Sequence, residues 1–229
     1  MKTITKISAF IMCFVLVFTL LYGCKKDKET DTGIGTPIGE NSGNTNDEKP
    51  IAGLPDDLYS FTLALDGKIY ALPAPFSEFA ANGWEIEEAK ASGNVDSSDE
   101  SLSPGSLSNP AMIKKGEQTL LVTFVNNYDD DRILPDCDIA SISTTNDSSG
   151  QGSPIIVFPG NIKIGSSEEN VLALYGEPTD TYEYADFNLL YYSKDDSARV
   201  SISIRKSDNC VGALGMENRF LSNRSPVQQ

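Results

Sequence analysis

An α+β fold built as two diverged repeats, each a short helix packed on an antiparallel sheet behind a disordered tether, is what this sequence predicts. Three observations carry the expectation. Residues 181–217 divide into four short runs of strand character separated by turn residues. Just ahead of them, a helix signature ends at Gly176 with Pro178 beyond. The two sides of residues 144–153 also share a skeleton of glycines, aliphatics and cysteines.

The second half reads in order. Ile162 and Ile164 fall in a short strand, and Ser166 stands three residues before Glu169, the spacing of a capping box. Val171, Leu172 and Tyr175 bracket one turn of a short helix, with Gly176 as its stop. Strands are expected at Thr181–Tyr184, Asn188–Ser193, Arg199–Arg205 and Val211–Glu217, with Lys194-Asp195-Asp196 and Ser207-Asp208-Asn209 turning between them. Val200, Ile202 and Ile204 alternate with Ser201, Ser203 and Arg205, the period of a half-buried antiparallel strand.

The first half repeats this loosely. Pro75 to Asn82 predicts a helix with Phe76, Phe79 and Ala80 inward, Gly83 ending it and Trp84 filling the core. Its clearest strands are Leu120–Val125 and Asp138–Ser143. A shift of 93 positions lays Gly67 on Gly160, Ile69 on Ile162, Phe79 on Leu172, Ala80 on Ala173 and Gly83 on Gly176. A shift of 73 lays Cys137 on Cys210 and Ala140 on Ala213. The polar loop Ala91–Asn109 is about as long as the difference, so one insertion reconciles the two shifts. The repeats are expected at 53–145 and 146–229.

Ahead of them, Met1 to Gly23 has a charged start (Lys2, Lys6) and an apolar run from Ile7 to Tyr22, too short for a comfortable membrane span. It closes on Leu21-Tyr22-Gly23-Cys24, followed by Lys25-Lys26-Asp27-Lys28-Glu29. This resembles the lipobox of bacterial lipoproteins. The resemblance implies that 1–23 is a signal peptide and that Cys24 becomes the first mature residue, carrying a thioether-linked diacylglycerol. The lipid bilayer would then be the first partner, and two acyl chains suffice for stable anchoring. The competing expectation is an uncleaved N-terminal anchor. Residues 24–52 are polar, with little to bury, and read as a disordered tether with an r.m.s. reach of about 30 Å.

Charge and composition exclude several function classes. Thirty-three acidic against 18 basic residues give a net charge of −15, and there is no basic block, so nucleic acid is not an expected partner. The chain has no histidine, which removes Ser-His-Asp and Cys-His catalysis and every histidine-ligated metal site. Asp129-Asp130-Asp131, with Asp136 and Asp138, offers hard oxygens but lacks the spacing of a calcium loop. Ser203-Ile204-Arg205-Lys206 and Ser207-Asp208-Asn209 match the serine–lysine patterns of penicillin-recognising enzymes, yet on a strand Ser203 and Lys206 point to opposite faces. No catalytic residue, metal or cofactor is therefore expected.

Gly165-Ser166-Ser167-Glu168-Glu169-Asn170-Val171 leading through a helix to Leu174-Tyr175-Gly176-Glu177-Pro178 resembles the BamE/SmpA small-lipoprotein motif. The same α/β unit in tandem is the architecture of the β-lactamase inhibitory protein. The resemblance implies a domain outside the cytoplasm that binds other proteins through its sheet. Cys137 and Cys210, the two cysteines of the body, are either a disulfide joining the halves or separately placed thiols. Tyr182, Tyr184, Tyr191 and Tyr192 crowd neighbouring strands, either as cross-strand packing or as an aromatic binding surface. The expected function is a membrane-anchored envelope lipoprotein acting as a non-enzymatic protein-binding or scaffold module. The alternative is a small-molecule-binding lipoprotein or a histidine-free envelope enzyme.

Overall fold

The computed structural model describes residues 51–87, 99–144 and 155–219. The proposed signal peptide, Cys24, most of the tether and the segment between the expected repeats lie outside the described residues. Of those described, 49% are strand and 16% helical, so the body is α+β with the sheet dominant.

In chain order the first strands are β1 (Thr62–Leu65), β2 (Lys68–Ala71) and β3 (Ala74–Pro75), leading into helix α1 (Phe76–Ala80). Then come β4 (Glu85–Ile86), β5 (Ser101–Leu102), β6 (Ala111–Lys115), β7 (Gln118–Val125), β8 (Arg132–Ile133) and β9 (Asp138–Thr144). The remainder holds β10 (Ile156–Phe158), β11 (Ile162–Lys163), helix α2 (Glu168–Tyr175), β12 (Asp180–Glu183), β13 (Phe187–Asp195), β14 (Ala198–Arg205) and β15 (Cys210–Asn218).

Two principal sheets result. The smaller has the order β11-β10-β1-β2. Its β1–β2 hairpin turns through Asp66 and Gly67, both at positive φ, the requirement of a tight two-residue hairpin turn. The larger sheet has nine strands in the order β12-β13-β14-β15-β9-β7-β6-β4, with β3 beside the start of β9. All its pairings are antiparallel. Chain order ascends from β12 to β15 and then descends from β9 to β4, so the seam of the sheet joins the last strand to the middle of the chain.

Both sides of that seam carry a bulge. On β9, Ala140 is the extra residue between the pairs Thr123↔Ser141 and Phe124↔Ile139. On β15, Gly212 is extra between Ser203↔Ala213 and Ile204↔Val211. Each helix also starts by donating its first backbone N–H to a carbonyl just before its partner strand: Phe76 to Cys137 at 3.0 Å, Glu168 to Asn209 at 2.9 Å.

One face of the large sheet supplies the core. Phe124, Ile139, Ile142, Leu190, Tyr192, Val200, Ile202, Leu214 and Met216 are buried together with Leu63, Leu65, Tyr70, Phe158 and Ile162 of the smaller sheet. Phe76 and Phe79 of α1 and Val171 of α2 belong to the same cluster. Trp84 is 1% exposed within it, as its place after the first helix predicts. Side chains of this size contribute roughly 1.5–3 kcal/mol each on burial. Tyr70 stacks on Phe79 at 4.0 Å, and Tyr192 meets Tyr175 edge-on at 5.7 Å, so each helix is fastened by an aromatic pair.

Several details depart from expectation. The cap of α2 is Ser167, whose side chain accepts from Asn170 N–H at 3.2 Å, while Ser166 Oγ accepts from Lys163 N–H at 3.0 Å. The helix starts one residue later than a Ser166 capping box requires. Helix α1 is shorter than Pro75–Asn82, because Asn82 and Gly83 already donate to Phe79 and Ala80 carbonyls in tight turns. The two bulged residues, Ala140 and Gly212, lie 72 positions apart, as do the carbonyls of Cys137 and Asn209 that receive the helix-start bonds.

Candidate functional site: the open face of the large sheet

Because side chains alternate along a strand, the face opposite the core is fixed by the register. One row of neighbours runs across seven strands: Asp180, Tyr191, Ser201, Gly215, Ser143, Leu121 and Met112. A second row places Tyr182, Leu189, Ser203 and Ala213 side by side. A third places Arg199, Glu217, Ser141 and Thr123.

The middle of this face is small. Ser201 and Ser203 on β14, Ala213 and Gly215 on β15, and Ser141 and Ser143 on β9 leave a low strip three strands wide, about 10 Å between the outer strand axes. A Cβ on Gly215 would lie 2.5 Å from Ser201 Oγ, so glycine is required by the close approach of β14. A solvated sheet face ordinarily carries long polar side chains. Here bulk stands to either side of these positions, as Leu189 and Tyr191 on β13 and as Leu121 and Met112 on β7 and β6, and the Arg199–Glu217 pair closes the end of the strip beside Ser141.

The aromatic side is ordered by mutual contact. Tyr182 and Tyr191 meet edge-on at 5.6 Å, and Tyr184 stacks on Phe187 at 4.5 Å. The Arg199 guanidinium lies 5.7 Å from the Tyr191 ring centroid and is held by Glu217 at 2.8 Å. Arg219 reaches the other oxygen of the same carboxylate at 2.6 Å. Burial raises the phenol pKa of Tyr191, with the Arg199 charge pulling against it. Tyr182 is 52% exposed.

Of the four tyrosines singled out, Tyr182, Tyr184 and Tyr191 thus come together outside the core, and Tyr192 does not. It is buried, its hydroxyl donates to Gly176 O at 3.1 Å, and burial pushes its pKa to about 12. Phe187, Leu189, Arg199 and Glu217 complete the surface, and none was singled out from sequence. The available signal was the run of serine and small residues at the solvent positions of 139–143 and 201–215.

The cysteines stand as free thiols, the second of the two alternatives the sequence left open. The seam pairs Ser141 with Glu217 and Ser143 with Gly215, in opposite directions. Cys137 and Cys210 lie beyond opposite ends of that paired stretch, roughly 30 Å apart at ~3.3 Å per residue, whereas a bridge needs Cα atoms within about 7 Å. Cys137 is buried with its thiol aimed at the Ile133 carbonyl, 3.4 Å away. Burial pushes its pKa up to about 11, and the neighbouring Asp138 adds to the shift. Cys210 is half-buried, its thiol 3.4 Å from Asp208 O.

The other candidates resolve into structure. Asp138 is buried and accepts from Tyr128 Oη at 3.1 Å and Asn127 Nδ2 at 3.3 Å, while Asp129, Asp130, Asp131 and Asp136 are exposed. Among the described residues no group of three or more acidic or cysteine side chains is arranged to hold a metal. Ser203 lies on β14 opposite Ala213, and Lys206 follows the strand to approach Glu183 at 3.9 Å. No protein-family model matches the chain, and neither curated proteins nor solved structures match it significantly.

Proposed function

We propose that the chain is a membrane-anchored envelope lipoprotein whose body binds another protein through the open face of its large sheet. The observation that carries the reading is the low strip of Ser201, Ser203, Ala213, Gly215, Ser141 and Ser143, bounded by Tyr191 and Leu189 on one side and Leu121 and Met112 on the other. Such a surface admits a protruding element of a partner down to the sheet backbone. The flanking tyrosines offer large contact area with few rotors to immobilise. Anchoring rests on the Leu21–Cys24 lipobox resemblance, and export to the envelope follows from it.

The body is further read as two diverged repeats related about the β15–β9 seam. Strand order, the paired bulges at Ala140 and Gly212, and the equivalent helix-start bonds support this reading. It is the arrangement that the BamE-like motif implies.

Replacing Ser203 by Arg tests the binding function. The side chain is half-buried in the strip and has open face above it, so the fold should tolerate the change while the strip fills. Capture of a defined partner from cross-linked native membranes should fall at least tenfold with thermal stability kept. Undiminished capture of the same partner would remove the open face from the account.

A further inference from the structure

We propose that β12 is a receptor strand, to which an extended segment of a partner carrying lysine or arginine side chains adds as a tenth strand. This rests on the protein-binding reading and specifies how the partner backbone is held. Among the described residues β12 ends the large sheet and is paired with β13 alone, and all four of its residues are exposed. Tyr184 N–H donates to Phe187 O at 2.9 Å, and the register continues through Tyr182↔Leu189 and Asp180↔Tyr191. In an antiparallel ladder bonded and non-bonded pairs alternate, so the intervening Thr181 and Glu183 direct their N–H and C=O groups outward. That edge is a template for another strand. The opposite edge, β4, has two residues.

Charge selects the occupant. Glu177, Asp180, Glu183 and Asp186 follow one another at every third position along this edge. A second copy paired antiparallel about the outward-facing Glu183 would set Glu183 against itself and Asp180 against Asp186, and like charges directly opposite are destabilising. A strand bearing cations at those positions is complementary. Lys206 approaches Glu183 at 3.9 Å, yet the Glu183 side chain remains 81% exposed and open to a further cation. Tyr182 and Tyr184, on the open-face side of the same edge, offer aromatic surface to the stems of lysine and arginine.

The test uses the full chain in detergent and a labelled ten-residue peptide alternating lysine with valine and threonine, followed by fluorescence anisotropy. Thr181→Pro removes an outward N–H and leaves the β12–β13 bonds in place, and proline is tolerated on edge strands. Binding should weaken at least tenfold with Thr181→Pro, and equally with a peptide N-methylated at alternate residues. It should vanish when the peptide's lysines become glutamates. Glu85→Gln on β4, at the opposite edge of the sheet, should leave it unchanged. Equal binding of the plain and N-methylated peptides would reduce the interaction to charge alone and overturn the proposal. Absence of binding at millimolar peptide would overturn it as well. Either failure leaves the open-face reading standing, because Ser203→Arg tests that reading separately in membranes.

Discussion

Gly160 and Gly67 both sit at turns with positive φ, +66° and +81°, yet substituting them should have unequal effects. At Gly67 nothing lies within 4 Å of a built Cβ. Gly67→Ala therefore costs only left-handed strain, about 1–2 kcal/mol, partly offset by the 0.4–1 kcal/mol gained through a stiffer unfolded chain. The net is about 1 kcal/mol. At Gly160 a Cβ would stand 2.0 Å from Leu174 Cδ2 and 3.0 Å from its Cγ. Leu174 must leave its rotamer or its seat on the turn, adding about 1–2 kcal/mol. Gly160→Ala should then cost about 2–3 kcal/mol. Urea unfolding at neutral pH measures both, and the double variant Gly160→Ala/Leu174→Ala isolates the contact. Leu174 is 42% exposed, so its own truncation is cheap. In the Leu174→Ala background the two glycine substitutions should agree within about 0.5 kcal/mol. Equal losses at Gly67 and Gly160 with Leu174 present would refute the placement of α2 against the β10–β11 turn.

Other expectations follow from single environments. Thiol titration in denaturant should find Cys137 and Cys210 reactive without reductant, whereas in the native body Cys210 reacts first because Cys137 is buried and its pKa lies near 11. Two thiols that appear only after reduction would contradict the placement of β9 and β15. Tyr70 and Tyr192 have folded-state pKa values of about 12, and that of Tyr175 is raised further, all chiefly through burial. An unfolded tyrosine ionises near 10, so above that pH the unfolded chain holds fewer protons than the folded one. Stability should be flat with respect to these groups below about pH 10 and decline from there towards 12, with phenolate absorbance rising together with loss of tertiary signal. Asn126 is fully buried, donates to Leu102 O and Asp130 O at 2.7 Å each and accepts from Tyr128 N–H. Asn126→Ala should cost about 2 kcal/mol in thermal or chemical denaturation. Cys24→Ser should shift the protein from the detergent to the aqueous phase on phase partitioning, since the thioether requires sulfur.

What could be read from sequence depended on whether one face of an element meets water. Strands β12 to β15 stood out because two of the turns between them are polar and β14 alternates cleanly. The first half hid its strands. β1 buries all four residues and shows no period, although Asp66-Gly67 is a hairpin signal in its own right. The carbonyls that receive the two helix-start bonds, those of Cys137 and Asn209, lie 72 positions apart, one short of the spacing of the cysteines. The strip of small residues was legible only as an absence of long side chains, and it acquires meaning once the register lines up strands from both halves. Tyr191 and Tyr192 show the same limit: adjacency in sequence set them on opposite faces, and sequence alone did not say which was inside.

The β15–β9 seam also dictates when the body can be finished. Its pairs, Gly215 with Ser143 and Glu217 with Ser141, span more than seventy residues of chain, and β1 likewise waits for Val157 to pair with Ala64. Non-local pairings of this kind close slowly, since the loop entropy is lost before the contacts form. A chain emerging from its N-terminus can zip β6 to β7 and β7 to β9, but it leaves the free side of β9 as a bare edge until the final strand arrives. Loss of β15 would thus open the sheet through its centre rather than trim its margin. The pairing of β15 with β9 decides between a closed sheet and an adhesive one.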